Sequence, residues 1–196
     1  MHIPLFPLPN LVILPGMVVP LYIFEQRYRE LLAKVRQSGE SFGIVSLHPE
    51  SEGEPLERVG RVGTLVSVTQ VEDHPDGTSS IVVVGGERFR VDRFDAHSYS
   101  YLCAEVQLCP LEPSDLNALA VLSWDLFERF VSSARPDLQP TLRSEAPEDG
   151  VLLASFVAAN LRLSGEQMQR VLEAPSLLAR WQLLAQWIPE AKRTLN

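Results

Sequence analysis

Leu14-Pro-Gly-Met-Val-Val-Pro-Leu-Tyr-Ile-Phe-Glu-Gln-Arg-Tyr28 holds a turn, an apolar strand and the start of a helix within fifteen residues. Pro15 fixes φ near the value wanted at the second position of a β-turn. Gly16 accepts the positive φ of a type II turn's third position. Met17 and the seven residues after it are apolar at nearly every position. Such a run predicts a strand covered on both faces, with Pro20 at an edge or a bulge. At Glu25 the period changes, and Tyr28, Leu31, Leu32 and Val35 fall on one helical face. Glu25 suits the positive end of that helix and Tyr28 its core side. These are architectural roles, and none is catalytic.

Upstream, residues 3–14 are apolar but interrupted by Pro4, Pro7 and Pro9. Proline donates no hydrogen bond, so an edge or irregular strand is predicted. Downstream, the helix should reach about Gln37, with Gly39 as its C-terminal cap. Residues 42–47 read as a short buried strand, and 48–58 as a polar, acidic surface loop. The longest strand pattern covers 59–73, with Gly60 and Gly63 marking bends or bulges. His74-Pro-Asp-Gly77 is a turn, returning into a strand over 80–84 that Gly85-Gly86 should break. Residues 87–92 alternate, with Phe89 and Val91 facing in. Residues 101–109 complete the β part, with Leu102, Ala104, Val106 and Leu108 on one face.

After Pro110 the period is helical. Ser114 or Asp115 can cap a helix that turns Leu116, Leu119, Ala120, Phe127, Phe130 and Val131 inward and ends before Pro136. Residues 137–147 read as a linker-like loop. The next helix, 151–160, is apolar nearly all round and so is expected to be central. Ser164 and Gln167 form a capping box for a third, and Pro175-Ser176 begins a fourth ending near Ile188-Pro189. Trp124, Trp181 and Trp187 are expected in packing roles. Strands followed by helices without alternation indicate an α+β chain, divided into residues 1–110 and 111–196.

Composition narrows the function. The net charge is −8 and only two of the seventeen basic residues are lysine, Lys34 and Lys192. Phosphate-backbone binding draws its affinity from clustered cations, so nucleic acid is disfavoured as the main partner. No apolar run approaches the length of a membrane span. The opening residues carry neither a charged n-region nor a continuous apolar h-region, so no secretory leader is expected. Cys103 and Cys109, the only two cysteines, lack CxxC spacing. A cytoplasmic protein with reduced, buried thiols is the expectation.

Candidate chemistry is sparse. His48, Glu50, Glu52, Glu54 and Glu57, with Asp73, His74 and Asp76, lie on loops without the fixed spacing a metal site needs. They read as a solvated acidic surface, and no metal or cofactor is expected. His2, His48, His74 and His97 show no catalytic pairing. Ser164 lacks the strand-turn context of a nucleophile elbow, and capping explains it. Arg88, Arg90 and Arg93, with Arg58 and Arg61, could line a strip for RNA; pairing with Glu87, Asp92 and Asp95 is the simpler account.

The motifs in series nonetheless resemble a known family. Pro4-Leu-Phe-Pro-Leu8, Leu14-Pro-Gly-Met17, Pro20-Leu-Tyr-Ile-Phe-Glu25, Arg27-Tyr28, Phe42-Gly-Ile44, Val62-Gly-Thr64, Asp76-Gly77, Gly86-Glu-Arg-Phe-Arg90 and Tyr101-Leu-Cys-Ala-Glu105 resemble the signature of the N-terminal, substrate-recognition domain of Lon protease. The segment from Leu163 to Glu173 resembles a helix of the same domain. The resemblance implies a PUA-like β-barrel followed by an α-helical bundle. It also implies a role in recognising unfolded or degron-bearing polypeptides, with a protease or chaperone as partner. No GxxxxGK[ST] phosphate loop occurs in the chain, and the family's Ser–Lys peptidase dyad belongs to a separate domain. A non-catalytic recognition module is therefore expected, binding polypeptide through Phe6, Leu8, Leu14, Met17 and Tyr22. The alternative is an RNA-binding PUA-like domain using Arg88, Arg90 and Arg93. Oligomeric state is left open.

Overall fold

The computed structural model describes residues 1–48 and 54–190. Glu50, Glu52 and Lys192 lie outside the described residues. The architecture is α+β, in two compact units, Met1–Pro110 and Leu111–Asn196.

The first unit contains β1 (His2–Pro9), β2 (Val18–Ile23), α1 (Gln26–Ser38), β3 (Phe42–Leu47), β4 (Val59–Asp73), β5 (Ser79–Asp95) and β6 (Cys103–Leu108). The strands form one sheet in the order β2-β5-β4-β3-β1-β6, and β5 also pairs with β6. Following the pairings from β5 through β4, β3, β1 and β6 thus returns to β5. Only β1 and β3 run parallel. β2 stands outside this circuit and, among the described residues, pairs with β5 alone.

β1 is not an edge strand, because it lies between β3 and β6. Its three prolines fit because the two pairings do not overlap. Residues 2–4 pair with β6, and residues 5–9 pair with β3. The Leu5 N–H points to the β6 side, donating to Leu102 O at 2.8 Å. By alternation, positions 7 and 9 would direct an N–H away from β3, and position 4 away from β6. Each proline therefore lacks a donor only where there is no acceptor to meet it.

β5 also differs from expectation, running unbroken through Gly85-Gly86 for 17 residues. The glycines admit another segment instead of ending the strand. Leu14 to Met17 forms the expected turn, with Gly16 at φ 82° and Met17 N–H bonded to Leu14 O at 3.1 Å. That turn is fastened to Gly85: Gly16 N–H donates to Gly85 O at 2.7 Å, and Gly85 N–H donates to Met17 O at 2.9 Å. A Cβ on residue 85 would strike Leu14 O and lie 2.8 Å from Ile13 Cγ2. As expected, β4 is irregular at its glycines: Val45 faces Gly63 but Leu47 faces Val59, so the β3–β4 register shifts across the stretch that holds Gly60, and the β4–β5 register shifts between Thr64 and Val66 and between Val68 and Gln70.

Tyr28, Leu31, Leu32 and Val35 pack from α1 against Phe6, Ile13, Ile23, Phe42, Ile44, Val66, Ile81 and Val83. Ile3, Leu5, Val45, Phe89, Val91, Ala104 and Val106 form a second cluster. α1 ends as expected at Gly39, left-handed at φ 70°, with its N–H on Val35 O.

The second unit contains α2 (Leu116–Ser133), α3 (Gln139–Glu145), α4 (Gly150–Asn160), α5 (Gly165–Glu173) and α6 (Leu177–Leu184). Asp115 caps α2 through Ala118 N–H, whereas Ser114 accepts from Leu178 N–H. Ser164 and Gln167 make the full capping box of α5. Three expectations fail here. The supposed 137–147 loop contains α3, which buries none of its residues and so left no apolar periodicity to read. In α2 only the C-terminal half is buried, through Leu126, Phe127, Phe130 and Val131, while Leu116, Ala120, Val121 and Trp124 are exposed. α6 stops at Leu184, where the backbone turns at Ala185. Trp181 is fully buried, and α6 packs against α2, α4 and α5. Among the described residues no helix is long and apolar enough to cross a membrane.

Candidate functional site

β2 carries the most distinctive surface of the first unit. Its burial alternates: Val18, Pro20 and Tyr22 are exposed, whereas Val19 and Leu21 are half-buried and Ile23 is buried. The sequence predicted cover on both faces, and the structure covers only one. Val18 is 64%, Tyr22 53% and Phe24 61% exposed. Their cross-strand neighbours on β5 extend the apolar strip, since Val18 faces Val84 and Pro20 faces Val82, both half-buried. Large apolar side chains side by side on one open sheet face are uncommon unless something covers them.

The strip is held in place at both ends. At one end the turn docked on Gly85 fixes the entry to β2. At the other, Tyr22 Oη donates to Thr78 Oγ1 at 2.8 Å, and Thr78 Oγ1 donates to Asp76 Oδ1 at 2.7 Å. The Thr78 hydroxyl and backbone N–H hold the Asp76 carboxyl below its usual range. The Tyr22 ring stacks with Phe24 at 6.1 Å and meets the His74 ring at 6.0 Å. Glu25 and Arg27, paired at 2.7 Å, border the strip with charge, and the Arg27 guanidinium lies 4.6 Å from the centre of the Tyr28 ring. An uncharged aromatic and aliphatic face with a charged border suits an apolar ligand.

The sequence-predicted polypeptide residues separate accordingly. Phe6 and Leu14 are buried; the Phe6 ring lies 4.0 Å from that of Tyr28. They hold the core and are not available at the surface. Leu8 and Met17 are half-buried against the same cluster, and Met17 Sδ accepts from Leu14 N–H at 3.3 Å. Tyr22 alone is in the open. The sequence reading missed Val18, Pro20 and Phe24, although Pro20 as an edge marker and the two-residue spacing to Tyr22 were the available signals.

The arginines do not form a strip. Arg88 is buried at 8% exposure, its Nε donating to Cys109 O and its Nη2 to Pro110 O at 3.2 Å. It fastens the end of β6 to β5. Arg93 is exposed and pairs with Glu105 at 2.8 Å, and Arg61 lies 5.3 Å from the centre of the Phe94 ring. Arg90 is exposed. Three arginines of one strand thus have three different surroundings.

Several other candidate polar groups of the first unit have structural partners. His2 Nε2 lies 3.3 Å from Asp95 in a shallow concavity of about 270 Å³ shared with Arg93, His97 and Glu105. The Ser98 side chain, and then the His97 and Ser98 N–H groups, hold the Asp95 carboxyl well below the usual carboxylate range. Asp73 is lowered by the Ser79 hydroxyl and by Arg36. Burial, with a smaller push from Asp95, raises the Cys103 thiol to about 11. Cys103 is buried, Cys109 is half-buried, and both are free. Among the described residues no cluster of three His, Cys, Asp or Glu side chains could hold a metal ion.

The family model described as the ATP-dependent protease La (LON) substrate-binding domain matches residues 2–189. Lon protease 2 of Syntrophobacter fumaroxidans is 31% identical over 179 residues, covering 89% of this chain and 22% of that protein. Lon protease 2 of Desulfotalea psychrophila is 30% identical over 204 residues, covering 98% of this chain and 26% of the relative. The chain thus spans about a quarter of these relatives' length. A crystal structure of a Lon N-terminal domain protein from Xanthomonas campestris matches with a TM-score of 0.68 at 26% identity, covering 96% of this chain and 99% of that one. The N-terminal domain of Mycobacterium avium complex Lon protease shares the fold, with a TM-score of 0.74 at 21% identity over 96% of this chain and 98% of that one.

Proposed function

The chain belongs to the Lon substrate-binding domain family, and from that premise we propose that it is a non-catalytic module that recognises unfolded or degron-bearing polypeptides. The observation that carries the proposal is the exposed, uncharged row of Val18, Pro20, Tyr22 and Phe24. The pairing circuit of β1, β3, β4, β5 and β6 supports a PUA-like barrel as its scaffold, and α2 to α6 support a helical bundle in the second unit. Unfolded chains differ from folded ones chiefly in the apolar side chains they expose, and an open apolar face selects for that difference. A protease or chaperone is the partner that would use a captured chain. Two free cysteines fit a cytoplasmic setting. RNA recognition is not favoured, because Arg88 is buried and Arg93 is paired with acid.

The test is fluorescence anisotropy with a reduced, alkylated and therefore unfolded polypeptide. Full burial of each large apolar side chain is worth about 1.5–3 kcal/mol. The double variant Val18→Ser/Phe24→Ser should therefore weaken binding at least about tenfold while leaving circular dichroism unchanged. Unaltered affinity in that variant, or no binding by the wild type, would reject the proposal.

A further inference from the structure

Within the proposed role of polypeptide recognition, on which this inference rests, we infer that the polypeptide is bound as an added antiparallel strand on the outer edge of β2. Apolar side chains alone do not specify the ligand's conformation, but the β2 backbone does. Gly85 N–H donates to Met17 O just before β2 begins, and this bond sets the phase of the β2–β5 ladder. Val19, Leu21 and Ile23, opposite Val83, Ile81 and Ser79, are the following bonded positions. Val18, Pro20 and Tyr22 fall between them and turn their backbone groups away from β5. Among the described residues β2 pairs with no other strand, and no hydrogen bond takes these outward groups.

The edge therefore presents donor and acceptor at Val18, an acceptor at Pro20, and donor and acceptor at Tyr22. Groups repeating every second residue, about 7 Å apart, match the backbone of another extended chain. The same residues turn their side chains to the exposed face. In an antiparallel addition, the ligand residues bonded to β2 place their own side chains on that face, beside Val18, Tyr22 and Phe24. Backbone and side chain thus select one ligand: an extended segment with apolar residues at alternate positions. Pro20 withholds the central donor. That weakens the edge as a template for uncontrolled pairing and leaves the flanking donors to a short peptide. Antiparallel pairing is the more stable of the two orientations.

The test uses a lysine-flanked, fluorescent heptapeptide of alternating valine and threonine and two N-methylated analogues. One is methylated on the valines, the other on the threonines. Valine N–H groups face β2 in the inferred complex, so the first analogue should bind about tenfold more weakly and the second about as well as the parent. A strand-edge variant provides the protein side. Val18→Pro removes one outward N–H and no bond to β5, and should weaken the parent peptide several-fold relative to Val18→Thr. Equal binding by both analogues would overturn strand addition while leaving apolar recognition standing. Loss only on threonine methylation would overturn the antiparallel orientation. Absence of binding by the parent peptide as well as by unfolded polypeptide would remove the underlying proposal. A wild-type dimer in sedimentation that Val18→Pro returns to monomer would make a second copy of this chain the occupant, and would overturn the inference.

Discussion

Replacing Gly85 with alanine should loosen β2 from a distance, because Gly85 is where the Leu14–Met17 turn is fastened. The new Cβ would meet Leu14 O and lie 2.8 Å from Ile13 Cγ2, and both of those residues are buried. Neither can retreat without disturbing the core, so overpacking should cost about 1–3 kcal/mol. Displacing the turn also threatens the Gly16–Gly85 and Gly85–Met17 hydrogen bonds, each worth about 1 kcal/mol. The sum is about 3–5 kcal/mol, a large share of the 5–15 kcal/mol typical of a folded domain. With a urea dependence of roughly 2 kcal/mol per molar, the midpoint should fall by about 2 M. Gly86→Ala is the control, since its Cβ would meet only Leu65 O at 3.3 Å. It should cost about 1 kcal/mol or less. A Gly85→Ala midpoint within about 0.3 M of wild type would refute the clamp.

Three further outcomes follow from the geometry. Leu14→Ala should destabilise by about 2–5 kcal/mol and leave polypeptide affinity per folded molecule unchanged, whereas Phe24→Ser should do the reverse; paired denaturation and binding curves separate them. Arg88→Met should cost about 2–4 kcal/mol through the Cys109 and Pro110 carbonyls it leaves unpaired, while exposed Arg90→Gln stays within about 0.5 kcal/mol; equal costs would contradict the placement of Arg88. The Asp95 carboxyl is held low in the folded chain, so its contribution is present above the unfolded carboxylate value near 3.9 and fades as pH falls through the folded value. The stability difference between wild type and Asp95→Asn, measured by urea unfolding, should therefore shrink steadily below about pH 4, and a constant difference there would contradict it.

The sequence was most legible where local chemistry alone decides the outcome. The Pro15-Gly16 turn, the Gly39 cap, the His74–Gly77 turn and the Ser164–Gln167 capping box each depend on a few adjacent residues, and each stands where expected. It was least legible where tertiary contacts decide. Gly85-Gly86 reads as a strand break, but the turn that needs its close approach lies about seventy residues upstream in the chain. Arg88 shares its parity with exposed Arg90, yet it is buried and donates to the Cys109 and Pro110 carbonyls, which lie about twenty residues further along the chain. The β2 surface was hidden for a related reason. An apolar run reads the same whether it lies in a core or awaits a ligand, so Val18 and Phe24 looked like interior residues. Phe6 and Leu14, equally apolar, occupy the core instead.

The most direct test of the central claim is site-specific photo-cross-linking, with a benzophenone side chain at position 24 and, separately, at position 90. Both positions are exposed on the first unit, and only the first borders the apolar strip. With an unfolded polypeptide added, position 24 should give cross-linked product that an excess of unlabelled polypeptide competes away, while position 90 gives background. Equal yields at the two positions, or none at position 24, would contradict recognition at this face.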